Sequence, residues 1–426
     1  MIEKIYPIFL ESTGICTDTR NISEGNLFIA LKGPNFNANK FAKQALDNGA
    51  ICSIIDDNSY AIPGKTIFVQ DGLTTLQELS RIHRKNLKIP IIGITGSNGK
   101  TTTKELVHAV LATTFTTYAT KGNLNNHIGV PLSVLSITKE HELAIIEMGA
   151  NHLGEIAFLS SIARPTHGLI TNIGKAHTGL FGGFEGVIRA KSELYDFLIK
   201  NKGKVFINQN QDILMNMSRR IKEPVFYPNS GGYYSCEFVT ADPFVELKTE
   251  NGDLIKTNLV GAYNYDNIAT ALCVAKYFNV PDKKANEAVA KYTPSNNRSQ
   301  IIQKHGNSII LDAYNANPSS MEKALENLAN MNSSKKVAIV GDMFELGDDT
   351  QDEHAQVGKK IKELNIQNAI FCGESMRFAY EAFGHGNYMK TKDLLIAYLK
   401  ENKFSDATIL IKASRGMALE DVVDFL

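Results

Sequence analysis

The sequence predicts an α/β protein of three domains, and three observations predict it. The chain has 426 residues, more than one ordinary core needs. Short apolar runs alternate with helix-length stretches from end to end, the pattern of strand–helix units built into parallel sheets. Several of these runs are apolar at nearly every position, as happens when helices cover both faces of a sheet. The expected division is a small N-terminal α/β domain over 1–86, a central parallel-sheet domain over 87–293 and a C-terminal doubly wound, Rossmann-like domain over 294–426.

The elements follow in order. In the first domain "NLFIAL", "ICSIID" and "TIFVQ" read as strands, with helices in "KFAKQALDNGA" and "LTTLQELSRIHRK". Central strands are expected at 91–95, 143–148, 168–171 and 204–208. Residues 233–260 alternate in polarity and contain Asn251-Gly252, which reads as an antiparallel hairpin. Helices at 264–279 and 281–290 close the domain, and the polar "KYTPSNNRSQ" leads into the next. There, strands at 308–311, 336–340, 368–372 and 407–411 alternate with helices near 319–330, 352–364, 375–383 and 391–402.

Composition excludes several classes. Lys+Arg and Asp+Glu both number 45, so the balance offers no basic face for nucleic acid, and an anionic substrate must be held by local groups. The five cysteines are scattered and form no C-x-x-C pair, which argues against a disulfide scaffold or zinc site and fits a reducing cytosol. The opening "MIEKIYPIFLEST" places acids on both sides of a short apolar run, a poor signal peptide. No apolar run approaches the roughly 18 residues of a membrane span. A cytoplasmic protein without membrane insertion is expected.

The stretch "IIGITGSNGKTTT" carries the chemistry. A phosphate-binding loop of the usual spacing needs glycine five residues before Gly99, where Ile94 stands. Its context is nevertheless that of such a loop: an apolar strand, a glycine-containing turn, then helix formers from Lys100. Glycines let backbone N–H groups face an anion, and the new helix adds its positive end. Thr95, Gly96, Ser97, Asn98 and Gly99 would form the cradle. Lys100 would neutralise the outer phosphates, and the hydroxyl of Thr101 or Thr102 would bind Mg²⁺. The central domain is accordingly P-loop-like.

In open α/β sheets, ligands sit beyond the carboxyl ends of the strands. Expected there are Glu147, Asn172, Asp312 and Asp342, each where an apolar run stops in an acid or amide. A carboxylate beside a phosphate loop is the usual acidic Mg²⁺ partner, which singles out Glu147.

Seven segments carry a family resemblance: "TGSNGKTTTKE", "KGNLNNHIGVPLS", "EMGANHLGEI", "TNIGKAHTGLFGGFEGVIRAKSEL", "GAYNYDNIATA", "DAYNANPSSM" and "GDMFELGDDTQDEH". In this order they resemble the Mur ligases, ATP-dependent amide-forming enzymes that build the peptidoglycan precursor. The resemblance covers essentially the whole chain and accounts for the irregular loop, which in that family reads T-G-x-x-G-K-T. It implies ATP and two Mg²⁺ sites. Lys100, Thr101, Thr102 and Glu147 match the phosphate and first Mg²⁺ contacts. His177 and Lys191 match the ligands of a second Mg²⁺, with Lys191 present as its carbamate. Asn264 and Asn267 match residues near the adenine; on residue type alone they are cap residues. Arg298 matches a linker arginine that reaches the phosphates, and Asp312 the ribose contact.

The resemblance also implies substrates. "DAYNANPSSM" and "GDMFELG" fit members that add D-alanyl-D-alanine to a UDP-N-acetylmuramoyl-tripeptide. Asn315, Asn317 and Asp342 would then serve the dipeptide, Thr17, Asp18, Thr19 and Arg20 the UDP end, and Asn123, Asn125 and Asn126 the same substrate from the central domain. Where the family often has Asp-Gly-His, this chain has Asn37-Ala38-Asn39. The expected state is a monomer. Rival readings are a sister ligase adding the third residue, a folylpolyglutamate synthetase, a generic P-loop kinase, and a catalytically silent nucleotide-binding module.

Overall fold

In the computed structural model, which describes residues 1–175, 178–294 and 298–426, three sheet-based units follow one another along the chain. The first is a four-stranded parallel sheet in the order Ile15–Cys16, Leu27–Ile29, Cys52–Ile55, Thr66–Phe68. It begins with a helix the sequence reading passed over, Ile2–Glu11, which buries Ile5 and Phe9 four residues apart. The long helix Gly72–Asn86 joins this unit to the next. Arg84, buried in its last turn, donates to the carbonyls of Ala163, Arg164 and Leu87.

The central sheet has six parallel strands in the order Val225–Tyr227, Lys204–Asn208, His167–Ile170, Ile91–Thr95, Leu143–Glu147, Thr117–Ala119. Its apolar runs are continuous because alternate residues enter different cores. Ile92, Ile94, Leu143 and Ile145 pack with Leu106, Val107 and Ala271 on one face. Ile91, Ala144 and Ile146 pack with Leu159, Leu194 and Leu198 on the other. Both faces are therefore dry, and no polar position is left to alternate.

The hairpin expected at 233–260 is a three-stranded antiparallel sheet instead: Cys236–Ala241, Phe244–Thr249 and Leu254–Val260. Asp242-Pro243 breaks the chain between the first two strands, since proline has no N–H for a ladder. Asn251-Gly252 makes the second turn, with Gly252 at φ +88°.

The third unit is a six-stranded sheet in the order Gln300–Lys304, Asn307–Asp312, Thr408–Lys412, Lys336–Gly341, Asn368–Cys372, Asn387–Met389, with only the first pair antiparallel. Its strands, too, divide between two cores. The strand and helix positions expected here and in the central unit fall within one or two residues of those observed. Among the described residues no helix is long and apolar enough to cross a membrane. All five cysteines are free and buried.

Candidate active site

Strand Ile91–Thr95 and helix Lys100–Leu111 are joined by a turn that only glycine permits at two places. Gly99 is left-handed at φ +78°, and a Cβ there would lie 2.7 Å from Asn267 Oδ1. Gly96 has φ +145°, and a Cβ there would meet Thr171 Oγ1 at 2.0 Å. The turn is held from outside. Thr171 Oγ1 donates to Asn98 O at 2.6 Å, and Asn98 N donates to Asn172 Oδ1 at 3.1 Å. Ser97 Oγ donates to Gly174 O and accepts from Gly174 N, each at 3.0 Å.

This turn opens onto a cavity of about 490 Å³ between the central and third units. Gly96, Ser97, Asn98, Gly99, Lys100, Thr101 and Thr102 line it, as do Asn125, Asn126, Glu147, Lys191, Asn264 and Asn267. From the linker and third unit come Arg298, Asp312, Asn315 and Asn317. Residues more than two hundred positions apart in sequence thus line one cavity. Asn317 Nδ2 even donates to Asn98 Oδ1 at 2.7 Å, tying the helix it caps, Pro318–Asn330, to the glycine turn.

Seven expected residues lie elsewhere. Thr95 is fully buried beneath the turn. Thr17, Asp18, Thr19 and Arg20 sit on the first unit outside this cavity, where Arg20 pairs with Asp18 at 2.6 Å and leaves its own side chain largely in solvent. Asp342 accepts from Met376 N at 2.8 Å, at the start of another third-unit helix. Asn123 does not line the cavity either, and His177 lies outside the described residues. The capping role read for Asn264 is corrected. The helix Asn264–Tyr277 begins at Asn264, which is buried and donates to Val260 O while accepting from Asn267; Asn267 in turn accepts from Thr103.

Glu147 shows what the site can hold. It is 1% exposed; Oε1 accepts from Asn125 Nδ2 at 2.8 Å and Thr101 Oγ1 at 3.2 Å, while buried Oε2 has no hydrogen-bond partner among the described residues and lies 3.9 Å from Lys104 Nζ. An acid and a hydroxyl with a free buried oxygen fit a hard cation that keeps several waters, as Mg²⁺ does. Among the described residues no three His, Cys, Asp or Glu side chains cluster as for a transition metal.

Cationic side chains line the same cavity. Lys100 donates to Gly96 O at 2.8 Å and Ser97 O at 3.1 Å. It faces the cavity, yet burial pushes its ammonium below the usual lysine range; Glu147 opposes this and Arg298 adds to it. Lys191, on helix Phe184–Lys200, donates to Ala150 O at 3.2 Å and lies 5.1 Å from the Phe181 ring centre. Burial, helped by nearby Lys100, pushes it down to about 7. Arg298 lies over Tyr314, its guanidinium carbon 3.6 Å from the ring centre.

Lys412 was missed. It ends strand Thr408–Lys412 and donates to Asp312 Oδ2 at 2.5 Å and Asn315 O at 3.2 Å. The strand-end rule that selected Asp312 would also have selected Lys412.

Comparison with known proteins agrees with this construction. The Mur ligase middle domain matches residues 94–275, and the Mur ligase, glutamate ligase domain matches 297–415. The UDP-N-acetylmuramoyl-tripeptide–D-alanyl-D-alanine ligase of Bacillus subtilis (strain 168) is 36% identical over 426 residues, covering 96% of this chain and 92% of that one. A crystal structure of MurF from Acinetobacter baumannii superposes with a TM-score of 0.87 at 30% identity, covering 100% of this chain and 98% of that one. The MurF ligase from Thermotoga maritima in complex with ADP gives 0.83 at 26% identity, covering 98% and 97%. This chain belongs to the Mur ligase family.

Proposed function

We propose that the chain is an ATP-dependent, ADP-forming ligase that joins D-alanyl-D-alanine to UDP-N-acetylmuramoyl-tripeptide in peptidoglycan precursor synthesis. The observation that carries this reading is the single cavity that gathers Lys100, Thr101, Glu147 and Lys191 from one unit with Arg298, Asp312 and Asn317 from the other. Near-full-length similarity to ligases of that name supports the choice of substrates.

The chemistry needs a γ-phosphoryl group to move from ATP to the tripeptide carboxylate, releasing ADP. The dipeptide amine then attacks the acyl phosphate carbon, loses a proton, and phosphate departs with the C–O bonding pair. Such a transfer relies on positioning and charge neutralisation. Lys100 and Arg298 neutralise the phosphates from opposite walls. Asn264 and Asn267 serve the adenine end, Asp312 the ribose, and Asn315, Asn317 and Asp342 the dipeptide. Asn123, Asn125 and Asn126 meet the muramoyl substrate, whose UDP end is taken by Thr17, Asp18, Thr19 and Arg20. Thr101 and Glu147 would hold one Mg²⁺, and His177 with carbamylated Lys191 a second; bound Mg²⁺ supplies charge screening for the phosphates. An amine held at about 7 is substantially neutral at physiological pH, the form that adds CO₂. We take the protein to be a cytoplasmic monomer.

The test is phosphate release with UDP-N-acetylmuramoyl-tripeptide and a panel of amines. Release with D-alanyl-D-alanine and not with D-alanine, D-glutamate or lysine is expected. Turnover confined to a single amino acid would overturn the substrate assignment.

A further inference from the structure

Lys104 has no part in the mechanism above, yet it stands one turn beyond Lys100 on the same helix and is 3% exposed. A buried ammonium is costly unless its surroundings compensate it. Here they do: Nζ donates to Thr120 O at 2.8 Å and lies 3.9 Å from both Glu147 Oε2 and Glu105 Oε1. It does not line the nucleotide cavity.

Its partner Thr120 opens the segment 120–126. The same residue accepts at Oγ1 from Glu147 N at 3.0 Å. At the other end Asn125 donates to Glu147 Oε1 at 2.8 Å and accepts from Gly149 N at 2.8 Å. The segment is therefore clipped at both ends to the strand end carrying Glu147, and Lys104 ties its first residue to the glycine-turn helix. Asn125 and Asn126, which line the cavity, hang between these clips.

We propose that Lys104 is a positioning residue that sets the 120–126 segment against the nucleotide helix and so determines affinity for the UDP-muramoyl substrate. This rests on the proposed function, in which Asn123, Asn125 and Asn126 meet that substrate. An apolar residue would fill the same buried space. An ammonium is needed because a carbonyl and two carboxylates converge on one point.

The test is steady-state kinetics of Lys104→Met and Lys104→Gln beside metal-free ADP binding by calorimetry. Loss of one charged hydrogen bond from the segment should raise KM for UDP-N-acetylmuramoyl-tripeptide about tenfold in Lys104→Met. Lys104→Gln, which keeps a donor, should show a smaller rise. ADP affinity and KM for the dipeptide should stay within about twofold. An unchanged KM for the muramoyl substrate, or a parallel loss of ADP affinity marking general damage to the helix, would overturn the proposal. A parent enzyme that does not turn over the muramoyl substrate would instead strike the proposed function.

Discussion

Replacing Lys191 by methionine should stabilise the protein at pH 6 while nearly abolishing turnover. Burial holds the Lys191 ammonium at about 7 against an ordinary 10.5, so the folded state resists the proton that the unfolded chain binds. The penalty is full below pH 7 and disappears as pH rises toward 10.5. A difference of roughly 3.5 units corresponds to about 5 kcal/mol at pH 6. Methionine removes that penalty but also loses the bond to Ala150 O and the approach to the Phe181 ring. These losses are worth roughly 2–4 kcal/mol together. The expected net gain is about 1–3 kcal/mol at pH 6, or a few degrees in Tm for a unit of this size. At pH 10 the gain should largely vanish, because the folded-state amine is neutral there and only its neutral hydrogen bond to Ala150 O is lost. Thermal scans of both proteins in bicarbonate-free, nucleotide-free buffer at the two pH values decide it. A variant less stable at both, or a pH-independent difference, would refute the argument that burial depresses this amine.

Four further outcomes follow from the same geometry. Lys100→Ala should lower turnover about a hundred- to thousandfold, the loss of one preorganised charge contact; a rate within threefold of the parent would remove Lys100 from the site. Gly96→Ala should weaken ADP binding roughly tenfold or more, because its Cβ would fall 2.0 Å from Thr171 Oγ1 and must distort the turn. Unchanged affinity by titration would show that the turn yields freely. Asn317→Ala loses a helix cap of about 1 kcal/mol, whereas Asn317→Asp keeps the cap and loses the donor to Asn98; the Asp variant should keep its melting temperature and lose rate, and the reverse pattern counts against the tie. If Lys191 works as its carbamate, bicarbonate depletion should cost activity that returns on adding bicarbonate, whereas an indifferent rate speaks for a plain amine.

What the sequence disclosed depended on whether the signal was local. The strand Ile91–Thr95 and the glycines after it announce themselves through neighbouring residues, as does Glu147 at the end of its apolar run. Lys191 does not: in "EGVIRAKSELYDFL" it reads as a solvated helical lysine, and only the tertiary packing of Phe181 and Ala150 buries it. The Asn98–Asn317 contact spans 219 positions and leaves no trace in either segment. Lys104 is intermediate, within a quoted motif but indistinguishable by type from a surface lysine. Ile2–Glu11 was hidden by Pro7, which stands inside a helix it would ordinarily break.

The cavity cations differ in what they must give up to meet a phosphate, and this orders their roles. Lys100 already donates to two carbonyls of its own turn, so an incoming phosphate must replace bonds that exist. Lys412 is committed to Asp312 and Asn315 at short range, and withdrawing it would leave Asp312 with an uncompensated charge. Arg298 is different. Its guanidinium rests on the Tyr314 ring, and its buried Nε has no partner among the described residues. A phosphate oxygen reaching Arg298 would satisfy an orphaned donor rather than exchange one bond for another, the more favourable of the two cases. Arg298 stands two residues before the first strand of the third unit, in the chain that leads there from the central one. In a protein of zero net charge, affinity for a polyphosphate would thus be drawn to the link between the units. Binding there would favour the arrangement in which both walls of the site face the same ligand.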